Sequence, residues 1–132
     1  MILVDSNVLI DVLTDDPVWE VWSSEQLTRL GNTRQLAINP LIFAEIAMAY
    51  ADQGQLDAAL PASLVRLPLP YSAGFMAGRA FIEYRRRGGT RRSPLPDFYI
   101  GAHAAAEGHA IVTRDAARYR TYFPNVTVIA AS

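Results

Sequence analysis

Short apolar runs alternate with longer amphipathic stretches along this chain. The runs are rich in Ile, Val and Leu and predict strands buried on both faces of a sheet, over residues 2–5, 35–39, 65–69, 110–113 and 126–130. The stretches between them predict helices over 6–16, 18–31, 40–54, 55–63, 71–89 and 93–108, with a turn or short helix over 114–123. Such alternation with short connections is typical of a three-layer α/β/α domain with a mostly parallel sheet, here a single domain over 1–132.

The first apolar run ends in a carboxylate. Asp5 directly follows Ile2, Leu3 and Val4, where removing a charge from water is costly. Two interpretations are open: Asp5 caps the next helix, or it is a ligand in a site at the carboxyl ends of the strands, where open α/β sheets bind ligands.

The amino-acid composition excludes several classes of protein. The chain has 132 residues, 51% of them apolar, with no cysteine and therefore no thiolate nucleophile or disulfide. All 12 basic residues are arginine; since receiver domains and haloacid-dehalogenase-type phosphatases need a lysine, both drop out. No secretory signal or membrane span is evident, so a cytoplasmic protein without membrane contact is expected.

Three further acids occupy suggestive positions. Glu45 has Leu41, Ile42, Met48 and Ala49 as helix neighbours, which predicts a helix buried nearly all round. A carboxylate there needs a cation, a strong set of hydrogen-bond donors or a raised pKa, and a single ion pair with an arginine is the structural alternative. Asp97 opens a helix, where acids are favoured by the helix dipole alone. Asp115 follows the run 110–113 and is equally consistent with a turn residue.

Together with Asp5, these acids predict a cation site. Two carboxylates about 4 Å apart repel by roughly 4 kcal/mol at an effective dielectric near 20, so four of them would not gather for stability. Oxygen-only ligands suit Mg²⁺ or Mn²⁺, and such an ion can activate water and neutralise a phosphate in phosphodiester hydrolysis. We expect Asp5 and Asp97 to hold the principal ion, completed by Glu45 and Asp115.

Four motifs in this order resemble a known family. They are D-S-N at 5–7, P-L-I-F-A-E at 40–45, P-D-x-x-I-x-A-x-A from Pro96, and V-T-R-D at 112–115. They resemble the PIN-domain ribonucleases, and the chain length is most similar to the VapC-type toxins of toxin–antitoxin modules. The resemblance implies an endoribonuclease that leaves a 5′-phosphate, a cognate antitoxin partner and a homodimer. It implies that the four acids are the catalytic quartet and that Ser6, Asn7 and Thr113 support them.

An arginine-rich loop precedes Asp97. The net charge is −1, yet residues 66–132 carry ten of the 12 arginines against four acids. Arginine binds phosphate bidentately, so we expect this loop to contact RNA through Arg85, Arg86, Arg87, Arg91 and Arg92, although a solvated loop is the simpler alternative.

His103 and His109 are six residues apart, unlike paired ligands at i and i+4 of one helix, and we assign them no function.

Two other interpretations of the whole chain remain open. A nuclease acting on structured DNA uses similar acid clusters. A domain that binds RNA or protein without catalysis is the third possibility, and metal binding separates it from the nucleases.

Overall fold

The central sheet of this protein has five strands, all of them parallel. The structure, a computed structural model, describes residues 1–92 and 95–131. Within that part of the chain the strand order is β3-β2-β1-β4-β5, and every pairing is parallel. The strands are β1 (Ile2–Val4), β2 (Leu36–Ile38), β3 (Val65–Arg66), β4 (Ala110–Val112) and β5 (Val128–Ile129). The predicted three-layer α/β architecture is confirmed.

Seven helices of the described residues connect and flank these strands. They are α1 (Ser6–Leu13), α2 (Glu20–Gly31), α3 (Pro40–Ala47), α4 (Gln53–Ala59), α5 (Tyr71–Arg86), α6 (Pro96–Glu107) and α7 (Ala117–Tyr122). None of them is long and apolar enough to cross a membrane. Ser93 and Pro94, predicted to open the sixth helix, lie outside the described residues.

The strand order reverses direction next to β1. The chain builds β2 and β3 outward on one side of β1, then returns to place β4 and β5 on the other side. The carboxyl ends of β1 and β4 therefore flank a topological switch point, which is where such sheets bind ligands. The backbone N–H of Asp5 donates to the carbonyl of Val112 at 3.0 Å, so the two strand ends are held together.

The core forms on both sides of these two strands. All residues of β1 and β4 are buried, as near-continuous apolar runs predict. A second cluster joins α5 to α6 around Phe98, and Phe123 closes it from the end of α7. A Cβ on Gly101 would collide with the Phe123 ring, so the glycine in α6 is what allows the segment after α7 to pack so closely.

Two predicted helices differ from the structure. The predicted helix over 40–54 ends at Ala47, and a new helix begins after Asp52, whose side chain accepts a hydrogen bond from Gln55 N at 2.8 Å. Burial all round this helix was also a wrong prediction, since Met48 is 83% exposed. The second helix begins at Glu20 because Asp16 accepts hydrogen bonds from Val18 N and Trp19 N and holds a separate turn there.

Candidate active site at the carboxyl ends of the strands

The four predicted acids come from four different elements and lie near one another. Asp5 ends β1, Asp115 follows β4, Glu45 lies on α3, and Asp97 lies in the first turn of α6. Their charges act on each other: the negative charge of Asp5 contributes to a raised pKa at both Glu45 and Asp97. Asp115 adds to the raised pKa of Asp5 and Asp97. The four acids are therefore close enough to interact electrostatically, and their role as metal ligands stays a prediction.

Asp5 is the most enclosed of the four. Its side chain is buried, and three donors contact it: Ser6 N to Oδ1 at 2.8 Å, and Thr113 Oγ1 and Tyr119 Oη to Oδ2, each at 2.9 Å. Burial raises the pKa of the Asp5 carboxyl, and the three hydrogen bonds oppose that rise. Asp5 is also the N-cap of α1. The two interpretations of this residue are therefore compatible.

The three predicted supporting residues connect the acids. Ser6 Oγ donates to Glu45 Oε1 at 3.1 Å, which links the start of α1 to α3. Asn7 Nδ2 donates to Thr113 Oγ1 at 3.2 Å, and Asn7 Oδ1 accepts from Arg114 N at 3.1 Å. Thr113 Oγ1 also accepts from Asp115 N at 3.1 Å. The segments that follow β1 and β4 are thus held at fixed positions beside the acids.

Glu45 has a hydroxyl partner within the described residues, in place of the arginine that the sequence left open. Its contact is the Ser6 hydroxyl, and the residue is only partly buried. Burial, followed by the negative charge of Asp5, raises the pKa of the Glu45 carboxyl. A nearby cation would lower the free energy of this ionised group.

Asp97 has a cationic neighbour that sequence reasoning missed. Arg118 Nη1 lies 3.4 Å from Asp97 Oδ2, and its guanidinium is seated over the rings of Tyr84 and Phe98 at 5.9 and 5.7 Å. Burial nevertheless raises the pKa of Asp97, because the charge of Arg118 does not fully offset burial and the charge of Asp5. The pairing depends on α7 packing against α6, which the sequence pattern does not reveal.

The donor set fits a hard divalent cation. All four side chains offer oxygen, and burial and mutual repulsion disfavour the ionised forms of three of them. No three of these four described residues have oxygens that all lie within 4.8 Å of one another. At that spacing one Mg²⁺ would take at most two of the carboxylates directly and bind the others through water, which is a common arrangement for this ion.

A cleft beside two of the acids lies next to the arginine-rich loop. The cleft has a volume of about 320 Å³, and its walls include Tyr84, Asp97, Asp115 and Arg118. The loop folds back over Tyr84: Gly89 N donates to the Tyr84 carbonyl at 3.0 Å, and any Cβ on Gly89 would collide with the Tyr84 ring. The five predicted RNA-binding arginines are all exposed, namely Arg85, Arg86, Arg87, Arg91 and Arg92.

Two of these arginines are held in place. Arg85 Nη1 donates to the Arg91 carbonyl at 2.6 Å, which ties the two sides of the loop together. Arg87 pairs with Glu83 at 2.9 Å and lies over the ring of Tyr122, another wall of the cleft, at 5.5 Å. The loop is therefore a structured, positively charged border of the cleft.

A second group of metal-ligand residue types lies near the start of β4. Ligand atoms of His103, Glu107 and His109 all lie within 4.8 Å of one another, the one such group among residues 1–92 and 95–131. The two histidines do not share a face of α6, as their spacing predicts, yet they meet because the left-handed Gly108 ends α6 and turns the chain back. Their rings are 5.5 Å apart.

Hydrogen bonds indicate that this group is structural. Asn39 Oδ1 accepts from Ile42 N, so its Nδ2 faces His103 Nδ1 at 3.0 Å and donates to it. The proton of His103 then lies on Nε2, which donates to Glu107 Oε1 at 2.6 Å. Because both ring nitrogens are engaged, His103 has no free lone pair for a metal, and we assign the group to packing.

Comparisons with known proteins place the chain among nuclease-like folds. The family model described as "PIN domain" matches residues 2–124. Comparison with curated proteins finds no significant match. Among solved structures, VapBC2 from Rickettsia felis, bound to a DNA fragment from its promoter, matches with a TM-score of 0.76 and 19% identity over 100% of both chains.

Two further structures have the same fold. DNA-bound VapBC from Salmonella typhimurium matches with a TM-score of 0.71 and 21% identity, covering 98% of this chain and 96% of that one. VapBC-1 from nontypeable Haemophilus influenzae matches with a TM-score of 0.72 and 16% identity, covering 98% of each chain. At such identities the likeness shows the shared fold.

Proposed function

The chain belongs to the PIN-domain family, and from that premise we propose that it is a Mg²⁺- or Mn²⁺-dependent endoribonuclease. We further propose that it acts in the cytoplasm as the toxin of a VapBC-like toxin–antitoxin pair, as a homodimer with a cognate antitoxin. PIN domains are generally nucleases, and the structures that this fold matches are toxin–antitoxin complexes.

The convergence of four carboxylates at the switch point carries the proposal. The four acids come from four elements and share one edge of the sheet. The electrostatic cost of this arrangement is reflected in the raised pKa values of Asp5, Glu45 and Asp97. A fold gains no stability from such an arrangement of like charges. Binding a divalent cation supplies the missing compensation.

Each side chain has a distinct task in this proposal. Asp5 and Asp97 hold the ion, while Glu45 and Asp115 complete the site directly or through water. A bound Mg²⁺ or Mn²⁺ would supply activation of water and neutralisation of charge on the phosphate. Ser6, Asn7 and Thr113 fix the positions of the acids through the hydrogen bonds described above.

The arginine-rich border of the cleft supports RNA as substrate. An acidic site repels a polyanion, so phosphate contacts beside it must provide the attraction. The five exposed loop arginines meet this need, and one of them, Arg87, lies over Tyr122, which lines the same cleft as Asp97 and Asp115. Arg118, seated on two aromatic rings at 3.4 Å from Asp97, places one further positive charge at the site itself.

The first test is a calorimetric titration of Mn²⁺ into the purified protein and into Asp97→Asn. We expect saturable binding to the wild type, weakened at least tenfold (about 1.4 kcal/mol) by the substitution. Asp57→Asn is the control, because Asp57 pairs with Arg66 on the surface at 2.8 Å. If the wild type binds no Mn²⁺, either alone or with a short RNA present, the nuclease proposal is wrong and a non-catalytic binding domain takes its place.

A second test addresses the substrate. Replacing Arg85, Arg86 and Arg87 with Gln should weaken binding of a short single-stranded RNA in EDTA and flatten its salt dependence, by about 0.7 in the logarithmic slope for each phosphate that the variant no longer neutralises. The matched control replaces three exposed arginines elsewhere, Arg29, Arg34 and Arg79, and makes the same change in net charge. Equal slopes in the two triple variants would exclude the loop from RNA binding.

A further inference from the structure

Tyr119 is a buried phenol whose hydroxyl contacts a carboxylate of the proposed site. The residue is 1% exposed and belongs to the main hydrophobic core. Its Oη lies 2.9 Å from Asp5 Oδ2 and donates to it. The ring accounts for the packing, and phenylalanine would fill the same space. The role of the hydroxyl is therefore its hydrogen bond and not packing, because a buried tyrosine hydroxyl needs a hydrogen-bond partner.

The hydroxyl of Tyr119 shares its acceptor with Thr113. Both donate to Oδ2 of Asp5 at 2.9 Å, one from α7 and the other from the end of β4, while Ser6 N donates to Oδ1 at 2.8 Å. A carboxylate has about four acceptor directions, and three are occupied by protein donors. The remaining one belongs to Oδ1. These hydrogen bonds therefore fix the rotation of the Asp5 carboxylate. The lone pair that remains available is on Oδ1, the oxygen that also accepts from Ser6 N.

The position of Tyr119 results from the packing of a short helix. The segment that follows α7 is held against α6 where Gly101 permits close contact with Phe123. That contact sets the depth at which Tyr119, one helical turn earlier, enters the core. Through the hydrogen bond from its hydroxyl, the position of Tyr119 in turn fixes the carboxylate of Asp5, which lies at the end of β1.

We propose that Tyr119 is a positioning residue, which orients Asp5 for the divalent cation by donating to its second oxygen. The inference rests on the proposed metal-dependent function. Partners that orient a ligand side chain typically change metal affinity by 10- to 100-fold when they are removed. Tyr119 would act in the same way, although it touches neither the cation nor the substrate.

The test compares Tyr119→Phe with the wild type by Mn²⁺ titration at pH 7, alongside thermal unfolding in EDTA. We expect the substitution to lower Mn²⁺ affinity by about tenfold or more, in a protein that still unfolds cooperatively well above the titration temperature. Tyr50→Phe is the matched control, because Tyr50 packs against the same core, and we expect its affinity to stay within about twofold of the wild type.

Thr113→Val provides a second route to the same oxygen. It removes the other donor to Oδ2 and should weaken Mn²⁺ binding by a similar factor, so the proposal stays testable should Tyr119→Phe unfold. A purely structural role would lower the melting temperature of Tyr119→Phe in EDTA and leave affinity unchanged, which would overturn the proposal. If the wild type binds Mn²⁺ and Asp97→Asn weakens it while Tyr119→Phe does not, the positioning role fails and the proposed function stands.

Discussion

Two groups of titratable side chains lie at opposite ends of the sheet, and they are built in opposite ways. The acidic quartet, Asp5, Glu45, Asp97 and Asp115, collects like charges where β1 and β4 end. The histidine group, His103, Glu107 and His109, lies near the start of β4 and alternates donors with an acceptor. By spacing alone the histidine group is the tighter candidate for a metal.

The pKa shifts distinguish the two groups. Burial and neighbouring negative charge raise the pKa of Asp5, Glu45 and Asp97. At the other end, the hydrogen bond from His103 lowers the pKa of Glu107, and burial together with the N-terminal charge lowers that of His109. The acids of the quartet disfavour one another's ionised forms, whereas in the histidine group the hydrogen bond from His103 favours the ionised Glu107. We therefore expect the cation at the quartet, although the histidine group has the shorter distances between ligand atoms.

The largest effect is expected from Asp5→Asn. The substitution keeps the shape and removes the charge, so RNA cleavage should fall on the order of 100-fold or more. The metal-free protein should still fold, because removal of a buried and disfavoured charge offsets the loss of one acceptor oxygen for the donors around Asp5. Cleavage of a mixed RNA pool in Mn²⁺ and thermal unfolding in EDTA measure the two quantities. Turnover equal to that of the wild type would remove Asp5 from the mechanism.

His103→Leu should show the reverse pattern. Leucine leaves the Asn39 amide without an acceptor and Glu107 without a donor, at a cost of about 1–3 kcal/mol in the free energy of unfolding. Mn²⁺ affinity should stay within about twofold of the wild type, since a structural group binds no ion. Denaturant unfolding and calorimetry check the two parts. A loss of one equivalent of bound Mn²⁺ in this variant would show that the histidine group is a metal site after all.

The sequence could point to three of the four acids because they stand at boundaries of elements, whereas Glu45 is noticeable as a carboxylate within an apolar helix. Asp5 ends an apolar run, Asp115 follows another, and Asp97 comes after Pro96 at a helix start. In a parallel sheet such boundaries fall on one edge. Alternating apolar runs likewise predicted the strands, although β3 and β5 are shorter than expected.

The missed features depend on tertiary contacts that no local pattern encodes. Arg118 and Tyr119 lie on a short helix whose orientation is set by Gly101 and Phe123, residues far apart in the chain. His109 reaches His103 only because Gly108 adopts a left-handed conformation with φ of 72°. The sequence does offer one clue, because a tyrosine in a buried segment needs a hydrogen-bond partner for its hydroxyl group.

The smallest expected effect is a pH dependence of opposite sign in the two groups. A carboxyl whose pKa is raised in the folded state gains stability as pH falls from its folded pKa toward its unfolded pKa near 4. Burial and the charge of Asp5 raise the pKa of Asp97. Asp97→Asn removes this group, so wild-type Tm minus variant Tm in EDTA should become more positive as the pH falls from 7 to about 4.

His109→Gln should shift the same difference the other way. Because the folded pKa of His109 is lowered, the unfolded state binds more protons below about pH 6.5, and this contribution to stability is lost as pH falls. Wild-type Tm minus variant Tm should therefore become more negative between pH 7 and pH 5. Differences of the same sign in both variants would mean that the two groups do not differ in charge balance, and the argument for placing the cation at the quartet would lose its electrostatic support.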